Sequence, residues 1–149
     1  MNVREDLTKQ IATAMKAKDK VRLAVLRMLL SSVKYKEIEQ KSDLSDEEFL
    51  QLISTTVKQR KDSIEQYKTG GRKDLVEKEE AELEVVMEFL PEQLSEDEVR
   101  AIVEDAVKST GAASPKEMGK VMGAIMPKVK GKADGKLIQD LVKKALGAE

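Results

Sequence analysis

Wherever apolar residues recur in this chain they recur at helical spacing, and no stretch alternates with a period of two. That pattern removes sheets from consideration and leaves packed helices. Val3, Leu7, Ile11 and Met15 repeat every four residues and predict a first helix over 3–17. Asp19 is placed to cap a second helix running to about Gln40. Its apolar residues, among them Val21, Val25, Leu26, Met28, Leu29 and Val33, cover most of the circumference. Such a helix is expected to be buried on several sides, at the centre of a bundle. Ser45 and Glu48 form a capping box ahead of a third helix over 46–68, which Gly70-Gly71 ends. A fourth helix is expected over 73–90, with Leu75, Val76, Leu83, Val86, Met87 and Leu90 inward.

FLPEQLSEDEV, Phe89 to Val99, is the main break. Pro91 disfavours helix at Leu90, and Ser95 with Glu98 makes a second capping box. Three shorter helices follow: 96–109, ended by Gly111; 115–126, capped by Ser114 with Pro115 at its first position; and 136–146, capped by Asp134. The expected fold is all-α, with an N-terminal helical bundle of about four helices over 1–90 and a small three-helix C-terminal domain over 91–149. The second segment is just long enough to bury a core of its own.

Composition narrows the chemistry. Cysteine and histidine are both absent, which removes disulfides, thiol nucleophiles, the commonest general base and the commonest metal ligand. No catalytic set, metal site or cofactor is expected. The formal net charge is −1, so any electrostatic function must be local. No apolar run is long enough to cross a bilayer and the start, MNVREDL, is charged, so no membrane association and, by default, a cytoplasmic location are expected.

Three charged runs admit two readings each. KQRKDS places Lys58, Arg60 and Lys61 on the third helix, either as an anion-binding cluster or as a solvated face with Glu65 as ion-pair partner. GGRKDL puts Arg72 at the start of the fourth helix, either as a binding residue completing that second basic cluster or paired with an acid of the third helix. EKEEAELE, Glu77 to Glu84, reads as a solvated acidic face rather than a metal cage, because carboxylates alone need a more convergent arrangement.

MGKVMGAIMPKVKGKADG, Met118 to Gly135, stands apart: it holds four of the eight glycines. At about 100° per residue, Met118, Val121, Met122, Ile125 and Met126 fall on one side of the helix. Gly119, Gly123 and Ala124 fall on the other, edged by Lys116 and Lys120. Two interior glycines cost about 1 kcal/mol each relative to alanine. A bare face lets something approach the backbone, and lysines beside it favour an anion. Lys128, Lys130 and Lys132 then precede the last helix, where Gly135 and Lys136 lie at an N-terminus able to attract phosphate. From Ser114 to Lys136 six lysines against Glu117 and Asp134 leave +4. The competing reading is that Gly119 and Gly123 mark a close crossing by another helix of the same chain, and that Gly131 and Gly135 only shape a turn.

KQRKDS, GGRKDL, FLPEQLSEDEV and MGKVMGAIMPKVKGKADGKLI, in this order and spacing, resemble the YqeY-like family over essentially the whole chain. That family is similar to the C-terminal tail region of the B subunit of bacterial glutamyl/aspartyl-tRNA amidotransferase (the GatB/YqeY domain). The resemblance implies an all-helical fold with an N-terminal helical domain and a small three-helix C-terminal domain. It implies tRNA binding most directly for GKADGKLI, which matches the tail's motif; the tail often has proline after the aspartate, and here Gly135 follows. Family labels also attach carbon–nitrogen ligase activity with glutamine as amide donor. That activity is not carried over, because the chain has no phosphate-cradling glycine loop, no histidine or cysteine and no Ser-Lys hydrolase motif.

Three functions therefore stand as expectations. The first is a module, not catalytic by itself, that binds tRNA or another structured RNA through Lys116, Lys120, Lys128, Lys130, Lys132 and Lys136. The second is an adaptor for a protein partner. The third is an accessory to a glutamine-dependent amidotransferase system.

Overall fold

The computed structural model describes residues 2–147. Among them are seven α-helices, one 3-10 turn and no strand: α1 (Val3–Lys16), α2 (Lys20–Gln40), α3 (Asp46–Thr69), α4 (Lys73–Met87), α5 (Glu96–Thr110), α6 (Met118–Val129) and α7 (Gly135–Ala145). The chain is all-helical. It divides into two compact units, residues up to Leu90 and residues from Pro91 onward.

In the first unit Asn2, Asp19 and Ser45 cap α1, α2 and α3 by accepting backbone N–H bonds, and Glu48 returns the bond to Ser45. α1 packs on α2, α3 on α4, and α4 also on α2. Leu7, Leu26, Leu29, Ile53 and Val86 are fully buried between them, and the Phe49 and Phe89 rings meet edge to face at 5.8 Å. The one buried charged side chain among the described residues, Glu37, accepts from the Leu44 amide at 3.1 Å and from Arg4 at 3.2 Å. α4 stops at Met87 rather than Leu90. Glu88, Phe89 and Leu90 continue in tighter i→i+3 turns because Pro91 drives Leu90 out of the helical region.

α2 is covered on several sides, as expected: Val25, Leu26, Leu29 and Val33 are buried, and Leu23, Met28 and Leu30 pack against the same core. Val21, expected inward, is exposed, as are Tyr35 and Ile38. α3 pairs with α4 instead of closing over α2, so an open groove of about 1170 Å³ remains between α2 and α3.

In the second unit the capping box at Ser95 and Glu98 starts α5, and Gly111 ends it with φ 71°. Pro115–Glu117 is a 3-10 turn, so the helix expected from 115 becomes α-helical only at Met118. The sequence pattern ends that helix at 126, yet α6 runs through Pro127 to Val129. Val129 is fully buried, and packing it holds the last turn despite the missing proline N–H. Val99, Val103, Val121, Ile125 and Val142 complete the core.

Candidate nucleic-acid interface

α6 turns its Val121, Ile125 and Val129 stripe into the core, with Met118 and Met122 packed beside it and Met126 exposed. Gly119, Gly123 and Ala124 face outward. A Cβ added at Gly119 or Gly123 would meet nothing within 4 Å. Among the described residues of this unit no helix crosses there, so nothing in it accounts for the two glycines as a close crossing. Pro127 lies on the same outward side and is exposed. It has no N–H to give to the carbonyl four residues back, that of Gly123. The face thus offers helix backbone without bulky side chains over Gly119 and Gly123.

The lysines around it differ in freedom. Lys120 reaches Glu117 at 3.4 Å. Lys116, Lys128 and Lys136 are exposed, Lys132 is half-buried, and none of the four has a carboxylate partner among the described residues. Lys130 is exposed. The Glu117 carboxyl is held below its ordinary value of 4.5, first by the Ala113 amide, then by a hydrogen bond from Lys120.

Gly131, at φ 73°, turns the chain after α6. The turn is tied down from a distance: Gln93 Nε2 donates to the Gly131 carbonyl at 2.8 Å, and the Leu94 amide donates to the Lys132 carbonyl at 2.7 Å. The N-terminus of α7 is not open. The Asp134 carboxylate accepts the Lys136 amide at 3.1 Å and already holds the negative position that a phosphate would take. Gly135 is the first residue of α7 and needs no close approach.

The second basic cluster does not assemble as an anion site. Arg60 is nearly buried and donates to Glu79 at 2.9 Å and Glu82 at 2.6 Å. Lys68 pairs with Glu80 at 3.7 Å. The basic run of α3 and the acidic run of α4 are therefore largely two sides of one helix contact, a relation that the short Gly70-Gly71 connection between antiparallel helices makes legible in hindsight. Arg72 pairs with Asp74 in its own turn, not with an acid of α3. Lys58 is exposed and Lys61 half-buried. No group of three or more acidic side chains converges to hold a metal among the described residues.

A profile of the family described as "Yqey-like protein" matches residues 4–146. The chain belongs to the YqeY-like family. Similar to this YqeY-like chain is altered inheritance of mitochondria protein 41, mitochondrial, of Lachancea thermotolerans, 39% identical over 74% of this chain and 60% of that protein. The protein of the same name in Vanderwaltozyma polyspora is 41% identical over 56% of this chain and 46% of its own length. In Saccharomyces cerevisiae the figures are 31% over 73% and 62%. The YqeY-like chain thus spans less than two thirds of each of these three relatives. Their names place them in mitochondria, which overturns the cytoplasmic location expected by default. A charged first heptad is no guide to compartment. Among the described residues no helix is long and apolar enough to cross a membrane.

Proposed function

We propose that the unit from Pro91 onward is a contact for structured RNA, with tRNA the class that the family resemblance favours, and that it acts by binding rather than by catalysing a reaction. The observation that carries this reading is the unoccupied space over Gly119 and Gly123 on a lysine-edged helix face. Helix-interior glycines that no neighbour requires lower stability, and a ligand backbone needing close approach is a reason to keep them. Residues 114–136 carry +4, while 91–113 carry Arg100 and Lys108 against six acids, which gives −4. The field is therefore confined to the α6 side of the unit. No aromatic residue lies in this unit, so recognition would be of backbone and shape. The 2′-OH and A-form shape of RNA would set it apart from DNA at such a face.

Filter binding of tRNA as a function of salt tests the reading. Affinity should fall as salt rises, and Lys116→Gln, Lys128→Gln and Lys132→Gln should each reduce the logarithmic slope by about one. A DNA hairpin of equal length should bind more weakly. Absence of tRNA binding at low salt, or a slope untouched by all three changes, would refute it.

A further inference from the structure

The outer face of α2 is the other surface left uncovered. At about 100° per residue, Ala24, Ser31, Tyr35 and Ile38 lie within an arc of about 60° opposite the buried side. Tyr35 is 71% exposed and Ile38 77%, the two most exposed large hydrophobic side chains among the described residues. On one flank Lys20, Arg27 and Lys34 repeat every seven residues as a row, all exposed. On the other flank Ser31 and Tyr35 form the lip of the groove toward α3, where Gln51, Thr55 and Gln59 stand opposite.

Arg27 is exceptional. The chain has six arginines, and Arg4, Arg22, Arg60, Arg72 and Arg100 each hold a carboxylate. Arg27 alone has no such partner among the described residues, and it sits one turn from Ser31 on the uncovered face. Lys20 and Lys34 have no ion pair among the described residues either.

We infer that this face docks an acidic amphipathic helix of a partner protein. Its apolar side covers Tyr35 and Ile38, Ala24 and Ser31 allow close approach, and its carboxylates meet Lys20, Arg27 and Lys34. The stripe from Ala24 to Ile38 is about 21 Å long, enough for about four turns of a partner helix. Exposed tyrosine and arginine are the residue types that most often anchor such contacts. The charge row argues against a second copy: antiparallel pairing of two α2 helices would set Lys and Arg against Lys and Arg. It also favours protein over RNA. Residues 1–90 hold 17 basic and 18 acidic residues, a net −1, and an aliphatic Ile38 gives a nucleic acid nothing to bond. The inference does not depend on the RNA reading, which concerns the other unit.

The test is fluorescence anisotropy of the full chain with a labelled synthetic peptide of about 18 residues, leucine at i, i+3, i+4 and i+7 and glutamate on the flanks. Binding should weaken at least tenfold in Arg27→Glu and in Ile38→Asp, with thermal melts unchanged because both side chains are exposed. A version with lysine on the flanks should not bind. Three results would overturn the inference: no binding of the glutamate peptide; equal binding by wild type and both variants; or a wild-type dimer in sedimentation that Ile38→Asp dissociates. Displacement of the peptide by tRNA, with tRNA affinity falling in the same variants, would assign the face to RNA and overturn it as well.

Discussion

Gln93 Nε2 donates to the carbonyl of Gly131, 38 residues along the chain, at 2.8 Å. The same nitrogen donates to the Pro91 carbonyl at 2.8 Å, so one amide holds the lysine-bearing turn after α6 against the segment that opens the unit. Gln93→Ala removes both bonds at an exposed site and should cost about 1 kcal/mol. Hydrogen exchange of the Lys132 and Asp134 amides should quicken while the α5 amides keep their protection. Equal rates in both proteins would show that the Leu94 amide alone holds the turn.

Gly119→Ala should stabilise the second unit. The added methyl meets nothing, and because Gly119 is the second residue of α6 the gain stays below the roughly 1 kcal/mol of an interior position, or below about 8 °C in melting temperature for a unit of this size. Gly119→Leu should share most of that gain and yet weaken tRNA binding by filling the face. Calorimetry and filter binding on the same pair of variants separate the two effects.

Arg60→Ala should be the most damaging single change to the first unit outside its apolar core. It leaves Glu79 and Glu82 together, both largely covered, without their cation. A loss of about 3 kcal/mol is expected, read by urea unfolding. Arg60→Met combined with Glu79→Gln and Glu82→Gln should recover most of it, since no charge is then stranded.

Acid should weaken the start of α6. The Glu117 carboxyl lies below its ordinary value when folded, chiefly because the Ala113 amide donates to it. A folded value below the unfolded one stabilises above the unfolded value and loses that contribution as pH falls through the folded value. Glu117→Gln should therefore melt below wild type at pH 7, and the gap should close as pH falls through the folded value. A gap of constant size would mean that the carboxylate charge contributes nothing.

The sequence exposes what is decided within a turn of helix. Asp19, Ser45, Ser95 and Asp134 cap where they were expected because the bond each makes is to a backbone amide two or three residues away. The bare side of α6 follows from helical spacing alone. What escapes is set by packing partners. The end of α6 depends on Val129 reaching a core built by α5 and α7, and the exposure of Tyr35 and Ile38 depends on α3 choosing α4. The role of Gln93 rests on a contact across 38 residues that no local pattern signals. Arg60 lies between: its partners are visible as an acidic run, but only the hairpin aligns them.

α6 has 12 residues, with Gly119 in its first turn, Gly123 in its interior and Pro127 in its last turn, and a 3-10 turn precedes it. As an isolated peptide such a segment would scarcely be helical. Its order comes from the core it shares with α5 and α7, so folding cannot nucleate there. On this composition α6 is expected to wind up only once those two helices cover Val121 and Ile125, and its amides are expected to exchange fastest of the three helices. The surface proposed to meet RNA is thus also the segment of the unit with the least helix propensity of its own, and bound RNA is expected to slow its opening more than that of any other helix.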